Sequence, residues 1–164
     1  MNEKVCAGQC SDAGQEVGES SRAEKAVALF KAGCTCSQAV VAAYSDLFGM
    51  DEGTAMRVSC GLGAGVGRMR EVCGTVSGMA MLAGLKHGSE TPDAEAKKKT
   101  YEVTQAMAEA FKERNGSIVC RELLGLERPE GDPTPAARTE AYYKKRPCAA
   151  LVEDAAAIVE RFLR

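Results

Sequence analysis

Apolar residues recur every three or four positions along most of the 164-residue chain, and no run of β-branched residues alternates with period two. Ala23, Ala26, Val27 and Phe30, for example, stand at positions i, i+3, i+4 and i+7, which is the apolar stripe of an amphipathic helix. A half-buried strand would instead alternate apolar and polar residues. The pattern therefore predicts an all-α fold, an irregular bundle of about five to seven helices.

Capping residues and glycines divide the chain into segments with this helical period. The predicted helices cover residues 21–32, 36–48, 52–60, 70–87, 92–115, a short segment around Cys120, residues 136–145 and a C-terminal segment from Pro147. Thr35 is predicted to cap the second helix and Ser117 the short one, and Pro147 is predicted to be the first residue of the last.

Small residues are concentrated in two neighbouring segments. Glycine occupies every second position from Gly61 to Gly67, which predicts a loop that lets backbone approach closely. The helix predicted from Arg70 then carries a narrow stripe of small side chains, and another helix should pack tightly against it. The stripe consists of Cys73, Val76, Ser77, Ala80 and Gly84.

Residues 1–20 are polar and rich in Gly, Ser and Glu, which predicts a flexible N-terminal arm ahead of one helical domain over residues 21–164. The formal net charge of −2 provides no positive field for phosphates, so no nucleic-acid partner is expected. The longest uncharged runs, 32–45 and 72–85, are shorter than the roughly 20 apolar residues that cross a bilayer, so no membrane span is expected. The arm also lacks the apolar segment of a secretory signal, which makes the cytoplasm the expected compartment.

Eight cysteines stand out in a chain expected to stay in a reducing compartment, where thiols serve metal binding or redox chemistry more often than disulfides. Because His87 is the only histidine, a metal would be bound mainly by sulfur. Four cysteines, Cys36, Cys73, Cys120 and Cys148, lie in or near the first turn of a predicted helix. The helix dipole and the unpaired N–H groups there favour the thiolate, which binds metals and attacks disulfides.

The residues alone leave the role of these four cysteines open. If the bundle brings them together, a soft metal ion or an iron–sulfur cluster would supply the positive charge that four thiolates need. Buried cysteines can equally be small hydrophobic residues at ordinary packing positions. Their intervals of 37, 47 and 28 residues match no compact zinc-ribbon or ferredoxin signature.

Several segments resemble the motifs of the C-GCAxxG-C-C family, whose members are described as redox-active. The segments that carry the resemblance are Gly33 to Val40 (GCTCSQAV), Arg57 to Arg68 with its glycine run, Glu71 to Gly78 (EVCGTVSG), Gly116 to Gly125, and Cys148 to Val152. Thr75 stands where the second cysteine motif of the family usually has alanine. The resemblance covers about residues 21–164.

This resemblance implies a helical domain similar to that of split-Soret cytochrome c, without the haem half, because the chain has no Cys-x-x-Cys-His motif. Cysteines of that domain hold an iron–sulfur cluster, which implies that Cys36, Cys73, Cys120 and Cys148 bind a cluster of the two-iron, two-sulfur type. The function expected is electron transfer with an unidentified redox partner protein. Two alternatives stay open, a structural zinc-binding scaffold and a thiol–disulfide oxidoreductase in which two of the four cysteines cycle.

The other four cysteines are not included in the predicted ligand set. Cys34 and Cys60 could approach the same centre as an alternative ligand or a resolving thiol, and Cys6 and Cys10 are expected to be incidental exposed thiols. The small-residue face of the helix from Arg70 could form a dimer contact as readily as an internal one, so a homodimer is one expectation for assembly.

Overall fold

The computed structural model describes residues 21–128 and 130–164. Its α-helices are α1 (Arg22–Lys31), α2 (Cys36–Tyr44), α3 (Glu52–Cys60), α4 (Gly74–His87), α5 (Ala94–Asn115), α6 (Cys120–Leu123), α7 (Glu140–Lys145) and α8 (Cys148–Leu163). A 3-10 turn, Ser45–Phe48, extends α2. The all-α prediction is confirmed. The described residues form eight α-helices, one for each predicted segment and one more than the overall estimate of five to seven. Two of them, α6 and α7, have only 4 and 6 residues.

Helix α2 is the centre of the bundle because its sequence is apolar on nearly every side. Every residue from Ser37 to Tyr44 is buried, whereas a surface helix would bury a single stripe. Helices α1, α3, α4 and α8 pack around α2, and α5 packs against α4 and α8. The Tyr44 hydroxyl donates to the Ala156 carbonyl of α8 at 3.1 Å, which satisfies a polar atom in the middle of the core.

Helices α2 and α4 cross closely at Gly74 and Gly78. A Cβ at Gly78 would lie 3.2 Å from the Cβ of Val40, and one at Gly74 would lie 3.3 Å from the Cβ of Cys36. The close helix contact expected from the sequence therefore exists, but it lies on a different face from the predicted stripe. Gly84 of that stripe faces open space.

Helix α4 begins at Gly74, four residues after the predicted start. Arg70 has a left-handed φ of 63°, and Val72 forms an isolated antiparallel bridge with Val119. A residue in the left-handed region cannot belong to a right-handed helix, and Val72 is extended to form the bridge. Cys73 is consequently the N-cap of α4.

Two predicted caps differ from those in the structure. The N-cap of α6 is Val119, because the Ser117 hydroxyl accepts from the Val119 N–H at 2.9 Å in a turn that precedes the helix. Pro147 is the N-cap of α8 and not its first residue. Thr35 caps α2 as predicted, and its hydroxyl and the Gln38 side chain form a capping box.

The predicted arm, residues 1–20, lies outside the described residues, so the division of the chain into an arm and a domain stays a prediction. Buried apolar side chains from α1, α2, α4, α5 and α8 belong to one core cluster. In the described part of the chain, no helix combines the length and the apolar character that crossing a bilayer requires.

Candidate functional site

The four cysteines of the predicted ligand set lie at the beginnings of four different helices. Cys36, Cys120 and Cys148 are the first residues of α2, α6 and α8, and Cys73 is the N-cap of α4. All four line one cavity of about 10 Å³. Its wall is completed by Thr75, Leu123, Leu124 and Leu151. The fold therefore brings together thiols that are far apart in the sequence.

Backbone hydrogen bonds hold Cys73 beside Cys120. The Cys73 N–H donates to the Ile118 carbonyl at 2.8 Å, and the Cys120 N–H donates to the Glu71 carbonyl at 2.6 Å. These bonds flank the isolated antiparallel bridge, so the separation of the two cysteines is set by main-chain geometry. No sequence pattern indicates this pairing, because a bridge of one residue pair has no period-two alternation.

The glycine loop between α3 and α4 packs directly against the cysteine-bearing segments. A Cβ at Gly65 would lie 2.6 Å from the Cβ of Cys120, and one at Gly63 would lie 2.5 Å from the Cβ of Thr35, which precedes Cys36. Real Cβ atoms do not approach so closely. The close backbone approach expected from the sequence thus occurs at these two glycines.

Residues 64–68 of this loop form a left-handed turn, with φ between 52° and 74° at each position. Three of the five residues are not glycine, and one of them, Val66, is β-branched. Each non-glycine residue costs roughly 1–2 kcal/mol in this conformation. Such strain persists where the surrounding structure imposes it, which happens most often at functional sites. Here the turn directs the Ala64 N–H to the Cys36 sulfur.

Two buried polar residues after Cys36 connect the beginning of α2 to α3. The Ser37 hydroxyl donates to the Ser59 carbonyl at 2.7 Å, and the Gln38 amide donates to the Met56 carbonyl at 3.0 Å. The Gln38 side-chain oxygen also accepts from the Thr35 N–H at 2.9 Å. These bonds fix the place where the glycine loop leaves α3.

A family model described as "Putative redox-active protein (C_GCAxxG_C_C)" matches residues 34–162, a range that contains all four helix-start cysteines. The chain belongs to this family. The resemblance seen in the sequence is confirmed, and with it the description of the protein as redox-active. No curated protein and no solved structure gives a significant match.

In this member of the C-GCAxxG-C-C family, Cys36 is the thiol that ionises most readily. The Cys148 thiol donates a hydrogen bond to the Cys36 sulfur, and this bond is the largest cause of a Cys36 pKa lowered to about 6. Burial opposes the shift, while the Ala64 N–H and the positive charge of Arg138 favour it. Cys36 is therefore mainly a thiolate at neutral pH.

The other three thiols are neutral at neutral pH, contrary to the expectation that every helix start would favour the thiolate. Burial is the main reason that the pKa of Cys73 is raised to about 12. Burial is also the main reason that the pKa of Cys120 is raised. The pKa of Cys148 is raised chiefly because its thiol is the donor to Cys36, and burial adds to this. Desolvation and the charge already present on Cys36 outweigh the helix dipole, whose effect is small.

Arg70 supplies a buried positive charge next to Cys120. Its side chain is 2% exposed, and its Nη1 donates to the Cys120 sulfur at 3.9 Å. Glu130 accepts from Nε at 2.8 Å and also from Nη2, so the guanidinium is held in place and partly neutralised. No local pattern pointed to Arg70, because its acidic partner lies 60 residues further along the chain.

A second, open cavity of about 230 Å³ adjoins the cysteines. The cysteines in its lining are Cys36, Cys60, Cys120 and Cys148, and the arginines are Arg68, Arg70, Arg138 and Arg146. No local motif pointed to these arginines, because their segments meet only in the fold. The cavity joins the sulfur-lined centre to an arginine-rich opening.

The cysteines outside the predicted ligand set differ in position. Cys60 lines the open cavity, so it lies near the centre, whereas Cys34 is fully buried in the core cluster. Cys6 and Cys10 lie outside the described residues. Cys34 is engaged in a disulfide, so it offers no thiol as an alternative ligand or resolving group. The roles of Cys6, Cys10 and Cys60 stay as open as the sequence left them.

The donor set fits an iron–sulfur cluster in type and number, because four thiols surround one space. Among residues 21–128 and 130–164, no three His, Cys, Asp or Glu side chains are arranged to hold a single metal ion. The cavity of about 10 Å³ holds roughly one water molecule. A cluster would therefore also need space from the open cavity, which Cys36, Cys120 and Cys148 line as well.

Proposed function

We propose that this member of the C-GCAxxG-C-C family binds a two-iron, two-sulfur cluster through Cys36, Cys73, Cys120 and Cys148 and transfers electrons to a partner protein in the cytoplasm. The observation that carries the proposal is the meeting of these four thiols around one cavity. When bound, a cluster of this type accepts and returns single electrons.

The arrangement of the thiols favours a cluster over a single zinc ion. Structural zinc requires four ligands at about 2.0–2.3 Å from one point, and the described side chains form no such group. The ligands of a cluster bind different iron atoms and need not converge on one point. Four thiols that line one cavity but form no group around a single point are therefore better suited to a cluster.

The thiols must lose protons before they can bind a metal. Cys36 has a pKa of about 6, so it is ionised at neutral pH and is suited to capture the first iron. Cys73, Cys120 and Cys148 have raised pKa values and would release their protons as the metal binds. Loading at pH 7 should therefore release about three protons per chain.

Three groups of this chain would stabilise negative charge on the ligand sulfurs. The Arg70 guanidinium lies against Cys120, the Ala64 N–H donates to Cys36, and the Thr75 hydroxyl lies 3.1 Å from the Cys73 sulfur. Reduction adds negative charge, so donors at the sulfurs favour the reduced state and raise the reduction potential.

Anaerobic reconstitution with iron and sulfide tests the proposal. We expect visible absorption that dithionite bleaches, with about two irons and two sulfides per chain. Cys73→Ser should lose both the absorption and the metal. Cys60→Ser is the matched control, because Cys60 lines the open cavity but is not a proposed ligand, and it should retain the cluster.

A colourless protein without sulfide after reconstitution would refute cluster binding, and one tightly bound zinc per chain would indicate the zinc scaffold instead. Loss of the cluster in Cys60→Ser with retention in Cys73→Ser would overturn the ligand assignment.

Thiol–disulfide exchange is the second candidate, because the Cys36 thiolate is hydrogen-bonded to the Cys148 thiol. The Cys36 thiolate would attack one sulfur of a substrate disulfide and displace the other sulfur, which takes a proton. Cys148 would then lose its proton, attack the Cys36 sulfur and displace the second substrate thiol. The substrate disulfide gains two electrons and the cysteine pair loses two; an external dithiol would reduce the pair again.

Incubation of the protein with glutathione disulfide tests whether the cysteine pair carries out thiol–disulfide exchange. Metal-free protein should form a Cys36–Cys148 disulfide that peptide mass analysis detects, and Cys148→Ala should accumulate the mixed disulfide at Cys36. A protein whose thiols stay unchanged in this assay does not use this chemistry.

A further inference from the structure

The open cavity of about 230 Å³ carries more positive charge than the residues around it neutralise. Four arginines line it, namely Arg68, Arg70, Arg138 and Arg146. Among the described residues, two groups offset this charge: Glu130, which contacts Arg70 and lies 3.5 Å from Arg68, and the Cys36 thiolate, which the charge of Arg138 favours. We propose that this cavity binds a small anionic molecule through a carboxylate or another oxyanion, and that Arg138 is its main donor.

Arg138 is held in place on several sides by the fold. Its guanidinium lies 4.7 Å from the ring centres of both Phe30 and Tyr142, and its Nη2 donates to the Cys34 carbonyl at 3.1 Å. Stacking on aromatic rings and a fixed hydrogen bond restrict the motion of the guanidinium. A ligand would therefore meet a preorganised donor.

The other terminal nitrogen of Arg138, Nη1, is buried and has no hydrogen-bond partner in the described part of the chain. A buried donor without a partner is costly and rare, most of all on a charged group. Because Arg138 lines the cavity, a ligand atom there is the natural acceptor for Nη1. This unpartnered donor is the strongest evidence for the site.

Arg146 provides a second cation, and it forms no salt bridge with the described residues. Its guanidinium lies 4.8 Å from the Tyr142 ring centre, so Tyr142 contacts both Arg138 and Arg146. Arg68 and Arg70 are already engaged by Glu130. The two arginines on Tyr142 are therefore the ones available to an anion.

The dimensions and chemistry of the cavity define the class of ligand. Its volume lies below the roughly 300–1,000 Å³ typical of sites for drug-sized molecules, so a small organic acid or an inorganic oxyanion fits better than a nucleotide. Guanidinium groups bind carboxylates and oxyanions through paired N–H donors. The binding stands on the arginines alone; a role for the anion as redox substrate would rest on the proposed function.

Isothermal titration calorimetry with succinate and with inorganic phosphate tests the site in the full-length protein. At least one probe should bind saturably with one site per chain, and Arg138→Gln should weaken that binding by about tenfold or more. The two probes distinguish a carboxylate ligand from an oxyanion of the phosphate type. Saturation by neither probe in the millimolar range would overturn the proposal.

Arg161→Gln is the matched control. Arg161 also lies over an aromatic ring, that of Phe162, but it is exposed and stands about 20 Å along α8 from Cys148. Its removal should leave affinity unchanged. Equal weakening in Arg161→Gln and Arg138→Gln would show nonspecific charge attraction and would refute the site.

Two further variants keep the test decisive if Arg138→Gln fails to fold. Arg138→Lys keeps the charge but loses the paired donors, and Arg146→Gln removes the second cation; each should weaken binding severalfold. Unchanged affinity in both would overturn the proposal. Iron content measured on the same samples after anaerobic reconstitution separates the two proposals. Anion binding without a cluster then refutes only the cluster, and a cluster without anion binding refutes only the anion site.

Discussion

The four cysteines form two pairs that the fold holds in different ways. Backbone hydrogen bonds between the segments before α4 and α6 fix the separation of Cys73 and Cys120, which we call the backbone-held pair. Cys36 and Cys148 are joined by a hydrogen bond between their side chains, at the border of the arginine-lined cavity. Main-chain bonds cannot adapt to a ligand, whereas side chains can rotate.

This contrast assigns different behaviour to the two pairs. The backbone-held pair stays protonated because burial raises both pKa values. The Cys36–Cys148 pair shares one proton at neutral pH and, like Cys120, lines a cavity that solutes can enter. We infer that the backbone-held pair is the fixed half of the centre and that reactivity begins at Cys36.

Substituting Gly65 should disturb the fixed half of the centre, and among the substitutions proposed it should cause the largest loss of stability. In Gly65→Ala a Cβ would lie 2.6 Å from the Cys120 Cβ and 2.9 Å from the Glu71 nitrogen, at a φ of 73°. We expect a loss of about 2–4 kcal/mol in the free energy of unfolding, from left-handed strain and overpacking together. Urea denaturation measures this loss.

Gly61→Ala is the control in the same loop. Gly61 has an ordinary φ of −66° and open space around its Cα, so its substitution should change stability by less than about 0.5 kcal/mol. If the two variants lost the same stability, the close contact of the loop with Cys120 would not matter to the fold.

Much of the scaffold, but little of the chemistry around it, could be predicted from the sequence. Thr35 and Gly116 act locally, by capping α2 and by ending α5 at a φ of 85°, so helix boundaries of this kind are readable from neighbouring residues. The position of Cys36 at the first residue of α2 follows from the same kind of local signal, because Thr35 caps that helix. The start of α4 was predicted four residues too early and the caps of α6 and α8 differ from those predicted. The pairing of Cys73 with Cys120 and the contact of Arg70 with Glu130 depend on residues that meet only after folding.

The expectation that all four helix-start thiols would have lowered pKa values was wrong for three of them, because their pKa values also depend on tertiary structure. A cysteine at a helix start was expected to ionise readily because the dipole is a local feature. Burial and neighbouring thiols are consequences of tertiary structure, and they decide the outcome at Cys73, Cys120 and Cys148. Only Cys36 receives enough hydrogen bonds and positive charge for its pKa to be lowered, as expected for a thiol at a helix start.

Removing the Cys148 donor should abolish the special reactivity of Cys36. In metal-free protein, alkylation of Cys36 by iodoacetamide should follow an apparent pKa of about 6, with the rate rising as pH increases through that value and levelling off above it. In Cys148→Ala the titration should move towards the ordinary value of about 8.5, which lowers the rate at pH 7 by roughly tenfold or more. Peptide mass analysis identifies the modified thiol.

Cys148→Ser keeps a hydroxyl donor at the same place and serves as the control. It should retain most of the lowered Cys36 pKa. If the serine and alanine variants titrated alike, the hydrogen bond from residue 148 would not be the cause of the shift, and the charge of Arg138 and the Ala64 N–H would have to account for it.

Thr75→Ala should have the smallest effect, and it tests what a single hydroxyl does for one sulfur of the backbone-held pair. Thr75 is fully buried, lies 3.1 Å from the Cys73 sulfur and stands where the family motif has alanine. Its removal takes a donor from one ligand sulfur without touching Cys36, so a bound cluster should become harder to reduce. We expect a midpoint potential lowered by tens of millivolts, since about 59 mV corresponds to a tenfold change for a one-electron couple. Thr75→Ser keeps the hydroxyl and should preserve the potential; a potential equally unchanged in Thr75→Ala would show that the hydroxyl only packs against Cys73.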